Sequence, residues 1–341
     1  MPEALLTREA AEAAEVAARQ ISTNADAMAQ LGEQLRRRKP AFIATCARGS
    51  SDHAMTYGKY LLERTLGLPV ASLGPSLASV YGEELNLSGA VFIAASQSGR
   101  SPDALQLTET AKRGGALTVG LINDMESPLA ALVDVALPLA AGPETSVAAT
   151  KSFLATGIAL LHLAAAWSCE RDLADTLVRS PELLRQAGLC DWSPFFRRLE
   201  NATSLYVIGR GLGLGIAQEM ALKFKETCRI HAEAFSAAEV LHGPLALVGP
   251  GFPALILGPA DEGSESTLSS AHTFTGLGAE IAYAGSDVVR GIALPVPAES
   301  PAALMPLLQA RAFYGGIAAL AAARGLDPDR PPHLRKVTQT L

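Results

Sequence analysis

Two groups of side chains in this sequence have types and spacings suited to chemistry. The first is Ser96-Gln97-Ser98-Gly99-Arg100-Ser101, which follows the apolar run 89–95 and precedes a segment of helical character beginning near Asp103. A strand that ends in small hydroxyl residues and opens a helix makes an anion cradle. The first backbone N–H groups of the helix have no intrahelical partner, and the helix dipole adds partial positive charge. The serines and Gln97 supply further neutral donors, a set suited to a phosphate monoester that must bind and leave without a metal. The spacing matches neither a Walker loop nor a dinucleotide fingerprint. The second group is Glu219, Lys223 and Glu226, whose spacing of four and three puts all three on one face of a helix. As a solvated ion-pair face they would contribute little. Their context points to chemistry instead, because the helix follows a glycine-rich loop at the end of a strand. A carboxylate beside an amine can move a proton between neighbouring carbons, with the cation stabilising the enediolate oxygen.

Three further patterns resemble known sites in part. Glu239 and His242 form a Glu-x-x-His spacing, and His231 and Glu233 a His-x-Glu. A di-iron bundle needs a second Glu-x-x-His, and a zinc deaminase needs a downstream Pro-Cys-x-x-Cys; the sequence has neither, so no metal is expected. His231 reads as a hydrogen-bonded structural residue. His242 precedes Gly243-Pro244 at a turn, where a functional imidazole is plausible. Gly209-Arg210-Gly211-Leu212-Gly213-Leu214-Gly215 lacks the Gly-x-Gly-x-x-Gly register, and no strand ending in an acid follows at the required distance, so no dinucleotide cofactor is expected.

The elements that must position these groups repeat. Strand 40–46 runs into Ala47-Arg48-Gly49-Ser50-Ser51 and a helix; strand 204–208 runs into the glycine loop and a helix. Each half then offers an apolar strand with a polar loop, a helix, another strand (116–122 and 279–284) and a short closing strand (135–139 and 291–296). Alternating strands and helices imply parallel sheets with helices on both faces, with ligands beyond the carboxyl ends of the strands. The first copy offers uncharged hydroxyl donors there, whereas the second has Asp261 and Glu262, which repel phosphate, so one phosphate site is expected, in the first half. Residues 5–39 read as helical, 152–169 and 302–324 as buried helices, and 168–196 as a helical connection broken at Ser180-Pro181 and again at Asp191-Trp192-Ser193-Pro194.

Composition agrees with a large core: of 341 residues, 49% are apolar and 18% charged. A net charge of −6 without a basic block argues against nucleic acid and anionic membranes as partners. Cys46, Cys169, Cys190 and Cys228 have no paired spacing and read as reduced core residues of a cytoplasmic protein. The first residues lack the regions of a signal peptide, and the apolar stretch 152–169 is too short to span a bilayer comfortably.

Taken together these motifs resemble the sugar isomerase (SIS) family, in particular the isomerase half of glucosamine-6-phosphate synthase. The resemblance is carried by Ser96-Gln97-Ser98-Gly99, residues 144–151 (Glu-Thr-Ser-Val-Ala-Ala-Thr-Lys), 221–226 (Ala-Leu-Lys-Phe-Lys-Glu), 231–235 (His-Ala-Glu-Ala-Phe), 242–247 (His-Gly-Pro-Leu-Ala-Leu) and 334–338 (Leu-Arg-Lys-Val-Thr). It implies an α/β chain of two tandem SIS subdomains, each a flavodoxin-like sandwich of a parallel sheet flanked by helices. The expected boundaries are a helical segment at 1–27, a phosphate-loop domain at 28–170, a catalytic-helix domain at 185–330 and a site-forming tail at 331–341. The resemblance further implies that Ser51, Ser96, Gln97, Ser98 and Ser101 hold the phosphate, and that Gly49, Ser50 and Val147 line the sugar. By the same resemblance Glu226 is the base between C1 and C2, and Lys223 stabilises the enolic intermediate. His242 opens the pyranose ring from the neighbouring subunit of a homodimer, and Lys336 engages the open-chain carbonyl. No cofactor is implied. Arg48 stands where the synthase has a cysteine, Ala149 where it has a serine and Leu241 where it has a lysine, and neither a glutaminase domain nor an amino-terminal cysteine nucleophile is found. The expected reaction is therefore that of the SIS-type deaminases, glucosamine 6-phosphate to fructose 6-phosphate and ammonia. Alternatives are a hexose-phosphate isomerase, an aminotransferase component supplied with ammonia by another protein, or a sugar-phosphate sensor. A sensor would not need Lys223 and Glu226.

Overall fold

Runs of consecutive apolar residues become the central strands of two sheets in a computed structural model that describes residues 3–336. The strands β1 (Phe42–Cys46), β2 (Val70–Ser72), β3 (Ala90–Ser96), β4 (Leu117–Ile122) and β5 (Val135–Pro138) form a sheet in the order β2-β1-β3-β4-β5. The strands β6 (Ser204–Gly209), β7 (His231–Ser236), β8 (Pro253–Leu257), β9 (Glu280–Ala284) and β10 (Ile292–Leu294) form the second, in the order β10-β9-β8-β6-β7. Read from its other edge, the second sheet has the order of the first. Every strand pair is parallel. The central strands are buried along nearly their whole length, only Ser96 at the end of β3 and Ser204 at the start of β6 being partly exposed, as expected of parallel strands covered on both faces.

The helices in chain order are α1 (Leu5–Ala11), α2 (Ala13–Arg38), α3 (Ser50–Leu66), α4 (Ser76–Ser79), α5 (Pro102–Arg113), α6 (Pro128–Leu132), α7 (Lys151–Ser168), α8 (Arg171–Ala187), α9 (Ser193–Arg198), α10 (Gly213–Cys228), α11 (Ser264–Gly276) and α12 (Met305–Ala323). Two compact units result. One holds β1–β5 and comprises residues 15–144 and 155–178 together with Arg335 and Lys336; the other holds β6–β10 and comprises residues 3–14, 145–154 and 179–334. In the first unit, Gln20 on α2 donates from Nε2 to the carbonyls of Leu139 and Ala155, and Asn24 donates to that of Pro138, so α2 is tied to the end of β5. In the second, the Asp329 carboxylate accepts from the N–H groups of Leu5 and Leu6, holding α1 to the segment after α12. Among the described residues no helix is long and apolar enough to cross a membrane.

The structure departs from the sequence reading in three details. Pro181 lies inside α8 and does not break it, because Leu173, Leu177, Leu183, Leu184 and Ala187 form a buried stripe along that helix. Cys46 and Cys228 are buried and free, but Cys169 is exposed and Cys190 half-buried, so the four are not all core residues. The edge strands β2 and β7 carry no apolar run. Only three residues of β2 pair, and β7 alternates, with His231 and Glu233 exposed and Ala232 buried.

Each sheet has one switch point, where successive connections leave toward opposite edges: between β1 and β3 in the first and between β6 and β8 in the second. Loops beyond the carboxyl ends of the strands at such a point form a crevice. Residues 47–51 and 97–101 meet at the first switch point, and residues 210–213 and 258–263 at the second.

Candidate active site

The first crevice holds the serine loop. Ser96 ends β3 and accepts the Gly99 N–H at 2.9 Å, while Ser98 accepts that of Arg100 at 3.4 Å. Both hydroxyls therefore keep their own protons for a ligand. The loop is fastened from behind: the Ser96 and Gln97 carbonyls accept from the N–H groups of Asn123 and Asp124, and the Gly99 carbonyl from Leu129. Gly99 has φ +62°, and a Cβ there would lie 2.1 Å from Ser127 Oγ, so only glycine allows the turn. Ser101 precedes α5, and Pro102 opens that helix. Gly49, with φ +56°, precedes α3, which starts at Ser50 and Ser51.

The cup is not lined by neutral groups alone, as the sequence reading had it. Asp103, in the first turn of α5, is 1% exposed. Ser101 Oγ donates to its Oδ1 at 2.6 Å, and Arg48, from the loop after β1, donates to its Oδ2 from Nε at 2.9 Å and Nη2 at 2.5 Å. This ion pair bridges the two sides of the switch point. In the sequence its signals were an arginine in the loop after the first strand and an acid just after Ser-Pro at a helix start, where carboxylates are favoured.

In the same unit, Asn123 at the end of β4 accepts the Ala141 N–H and donates to the Gly142 carbonyl, which orders the strap after β5. Glu144 ends this strap with a fully buried side chain, and Lys336 donates to it at 2.9 Å. The tail thus returns Lys336 to a buried carboxylate. Gly49, Ser50, Ser51, Ser96, Gln97, Ser98, Ser101 and Lys336 all belong to this unit.

Val147, Lys223, Glu226 and His242 belong to the other. On α10, Lys223 Nζ lies 3.1 Å from Glu219 Oε1 and 2.6 Å from Glu226 Oε2. The Lys223 and Glu219 side chains are wholly buried, whereas Glu226 retains 16% exposure and alone presents part of the triad outward. Tyr314 on α12 donates to Glu219 Oε1 at 2.9 Å. Burial pulls the Lys223 pKa down, but the charges of Glu219 and Glu226 outweigh it and the net shift is upward, so the ammonium is retained. Tyr314 is not among the residues singled out by spacing; its one signal in the sequence is a phenol within the apolar run of α12.

Val147 donates its N–H to the Asp329 carbonyl, and the buried Glu9 carboxylate of α1 accepts from the N–H groups of Thr145 and Ser146. Two neighbouring chain segments thereby fix the backbone of the loop that carries Val147. His242 is exposed between two short 3-10 turns, Glu239–Leu241 and Pro244–Leu247, with Gly243 at φ +122°. Leu241 and Leu247 beside it are also exposed. His231 stands at the start of the edge strand, 4.0 Å from Glu233, and is exposed instead of packed. Among the described residues no group of three or more His, Cys, Asp and Glu side chains is arranged to hold a metal ion.

A family model, the SIS domain, matches residues 35–166 and 198–283, more than half of the chain. The chain belongs to the SIS domain family. The SIS chain is 36% identical over 312 residues to the isomerizing glutamine–fructose-6-phosphate aminotransferase of Aeropyrum pernix, covering 84% of this chain and 49% of that protein. It spans about half the length of the curated relatives it matches. A Silicibacter pomeroyi protein provisionally named a phosphosugar isomerase superposes with a TM-score of 0.92 at 42% identity, covering 96% of this chain and all of the other. The C-terminal domain of the Francisella tularensis glucosamine–fructose-6-phosphate aminotransferase gives 0.86 at 26% identity, covering 96% and 98%. A glucosamine-6-phosphate deaminase from Thermotoga maritima shares the fold, with a TM-score of 0.71 at 22% identity over 95% of this chain and all of that one. The SIS chain is thus related to the C-terminal domain of the glucosamine–fructose-6-phosphate aminotransferases.

Proposed function

We propose that this SIS chain is an isomerising deaminase of glucosamine 6-phosphate. The carrying observation is the α10 triad, in which a buried ammonium is held 2.6 Å from a carboxylate that retains access to the outside. Such a pair is matched to proton transfer between adjacent carbons. In the proposed reaction His242, given by a partner copy in a homodimer, helps open the pyranose ring. Glu226 removes the proton from C2 of the open-chain amino aldehyde and returns it to C1. Lys223 stabilises the oxygen that becomes negative as the enolic intermediate forms. Lys336, positioned by Glu144, engages the open-chain carbonyl. The product is the C2 imine of fructose 6-phosphate; water adds to C2, the C–N bond breaks, and ammonia leaves with fructose 6-phosphate. The serine loop with Ser51 holds the ester end, while Gly49, Ser50 and Val147 border the sugar.

The kinship to aminotransferases that isomerise fructose 6-phosphate supports chemistry at C1 and C2 of a hexose 6-phosphate. Arg48, Ala149 and Leu241, which replace the synthase's cysteine, serine and lysine, support water in place of delivered ammonia as the partner of the imine. The test is a coupled ammonia-release assay on a panel of amino-sugar phosphates, with aldose–ketose interconversion followed in parallel. Ammonia and fructose 6-phosphate in equal amounts from glucosamine 6-phosphate are expected. Interconversion of unaminated sugars without ammonia release would reduce the function to simple isomerisation, and no turnover of any phosphosugar would refute it.

A further inference from the structure

A phosphate ester carries close to two negative charges near neutral pH, and the neutral donors of the serine loop do not offset them. The helix dipole at the start of α5 contributes about half a charge, and Asp103 in its first turn opposes that with a full negative charge. Ser101 cannot serve the phosphate while its hydroxyl proton is committed to Asp103 at 2.6 Å, because a serine hydroxyl has a single proton to donate. The cation at the switch point is Arg48. Its Nε and Nη2 hold Asp103 Oδ2, and among the described residues it makes no other hydrogen bond, so the Nη1 side of a half-exposed guanidinium remains free. Arg100, the cation within the serine loop itself, is engaged by Asp124 in a pair open to solvent on both sides.

We infer that Arg48 is the phosphate-binding cation of this site, oriented by Asp103, and that Ser101 acts as a positioning residue for that carboxylate instead of a donor to the ligand. A guanidinium can grip a buried carboxylate with one edge and an anion with another, a geometry a lysine ammonium does not reproduce. The inference rests on the phosphosugar reading and adds the group that meets the ligand's charge.

The test is calorimetric titration of the full chain with inorganic phosphate, comparing wild type with Arg48→Ala, Arg48→Lys, Arg100→Ala and Ser98→Ala, each checked by thermal melting. Loss of a charged hydrogen-bonding partner predicts a roughly ten- to hundredfold weaker affinity for Arg48→Ala. Partial recovery is expected in Arg48→Lys. Arg48→Ala leaves Asp103 buried without its cation, so if that variant does not fold, Arg48→Ala/Asp103→Asn is compared with Asp103→Asn, where the same loss is expected. Wild-type affinity in Arg48→Ala, with binding lost in Ser98→Ala or Arg100→Ala, overturns the inference and leaves the phosphosugar reading standing. Absence of phosphate binding in wild type itself overturns both.

Discussion

Replacing Lys223 with methionine removes the buried ammonium while keeping a side chain of similar length. At an effective dielectric near 20, separations of 3.1 and 2.6 Å correspond to gross attractions of roughly 5 and 6 kcal/mol. Desolvation of the three charges cancels much of this, but deleting one member of a buried pair typically costs about 3–5 kcal/mol, because the remaining charges stay buried. With about 2–4 °C lost per kcal/mol in a unit of this size, the β6–β10 unit is expected to melt on the order of 10 °C lower. The deficit also depends on pH with a definite sign. With the cation gone, two carboxylates are left side by side in a buried site, where holding both ionised is unfavourable, so the variant falls further behind wild type as pH rises and recovers in acid. In the wild type the Lys223 pKa is itself raised, so its pairing persists below the ordinary lysine pKa and disappears only above the raised value. Glu219→Gln/Lys223→Met should recover at least half of the lost stability. Turnover of folded Lys223→Met should fall about 100- to 1000-fold if the ammonium stabilises a developing oxyanion. Melting and turnover measured at pH 5 and 8 decide this. A melting point within about 2 °C of wild type at pH 8 would refute the buried-triad account, and unchanged turnover in a destabilised variant would remove Lys223 from the chemistry.

Glu226→Gln should abolish turnover while leaving phosphosugar affinity within about threefold, as titration of the variant will determine; retained activity excludes Glu226 as the base. Mixing Glu226→Gln with His242→Ala should restore some activity if His242 acts across a dimer, and failure in verified mixed dimers counts against sharing. Gly99→Ala forces a Cβ onto Ser127 at φ +62°, so it should cost about 2 kcal/mol or more and weaken phosphate binding, read by melting and titration. His162 on α7 is buried, and desolvation lowers its pKa to about 4. Its neutral form supports the fold above the ordinary histidine value, and that support is lost as pH falls toward about 4. Wild type should therefore lose about 3 kcal/mol more than His162→Leu between pH 7 and 4 in urea titrations, and parallel pH profiles would count against it.

Much of this arrangement was legible in the sequence because it is local. Apolar runs bounded by glycine and serine announce buried parallel strands, and the spacing of Glu219, Lys223 and Glu226 puts them on one helix face whatever surrounds it. The duplication was visible for the same reason, since each half repeats strand, loop and helix in order. The edge strands were less legible, because β2 is three residues long and β7 alternates like a solvated strand. The pairing of charged groups far apart in the chain was not legible. Arg48 and Asp103 are 55 residues apart, Glu219 and Tyr314 are 95, and Glu144 and Lys336 are 192. Each pair forms only because parallel strand order or a returning chain segment brings distant residues together. Side-chain type and period determined what each element could do; whether the ion-pair face of α10 was solvated or buried, and whether the serine cup was neutral or held a cation, depended on packing. That follows from electrostatics, since the strength of a charge pair is set by the water that surrounding structure excludes, and no short stretch of sequence encodes that exclusion.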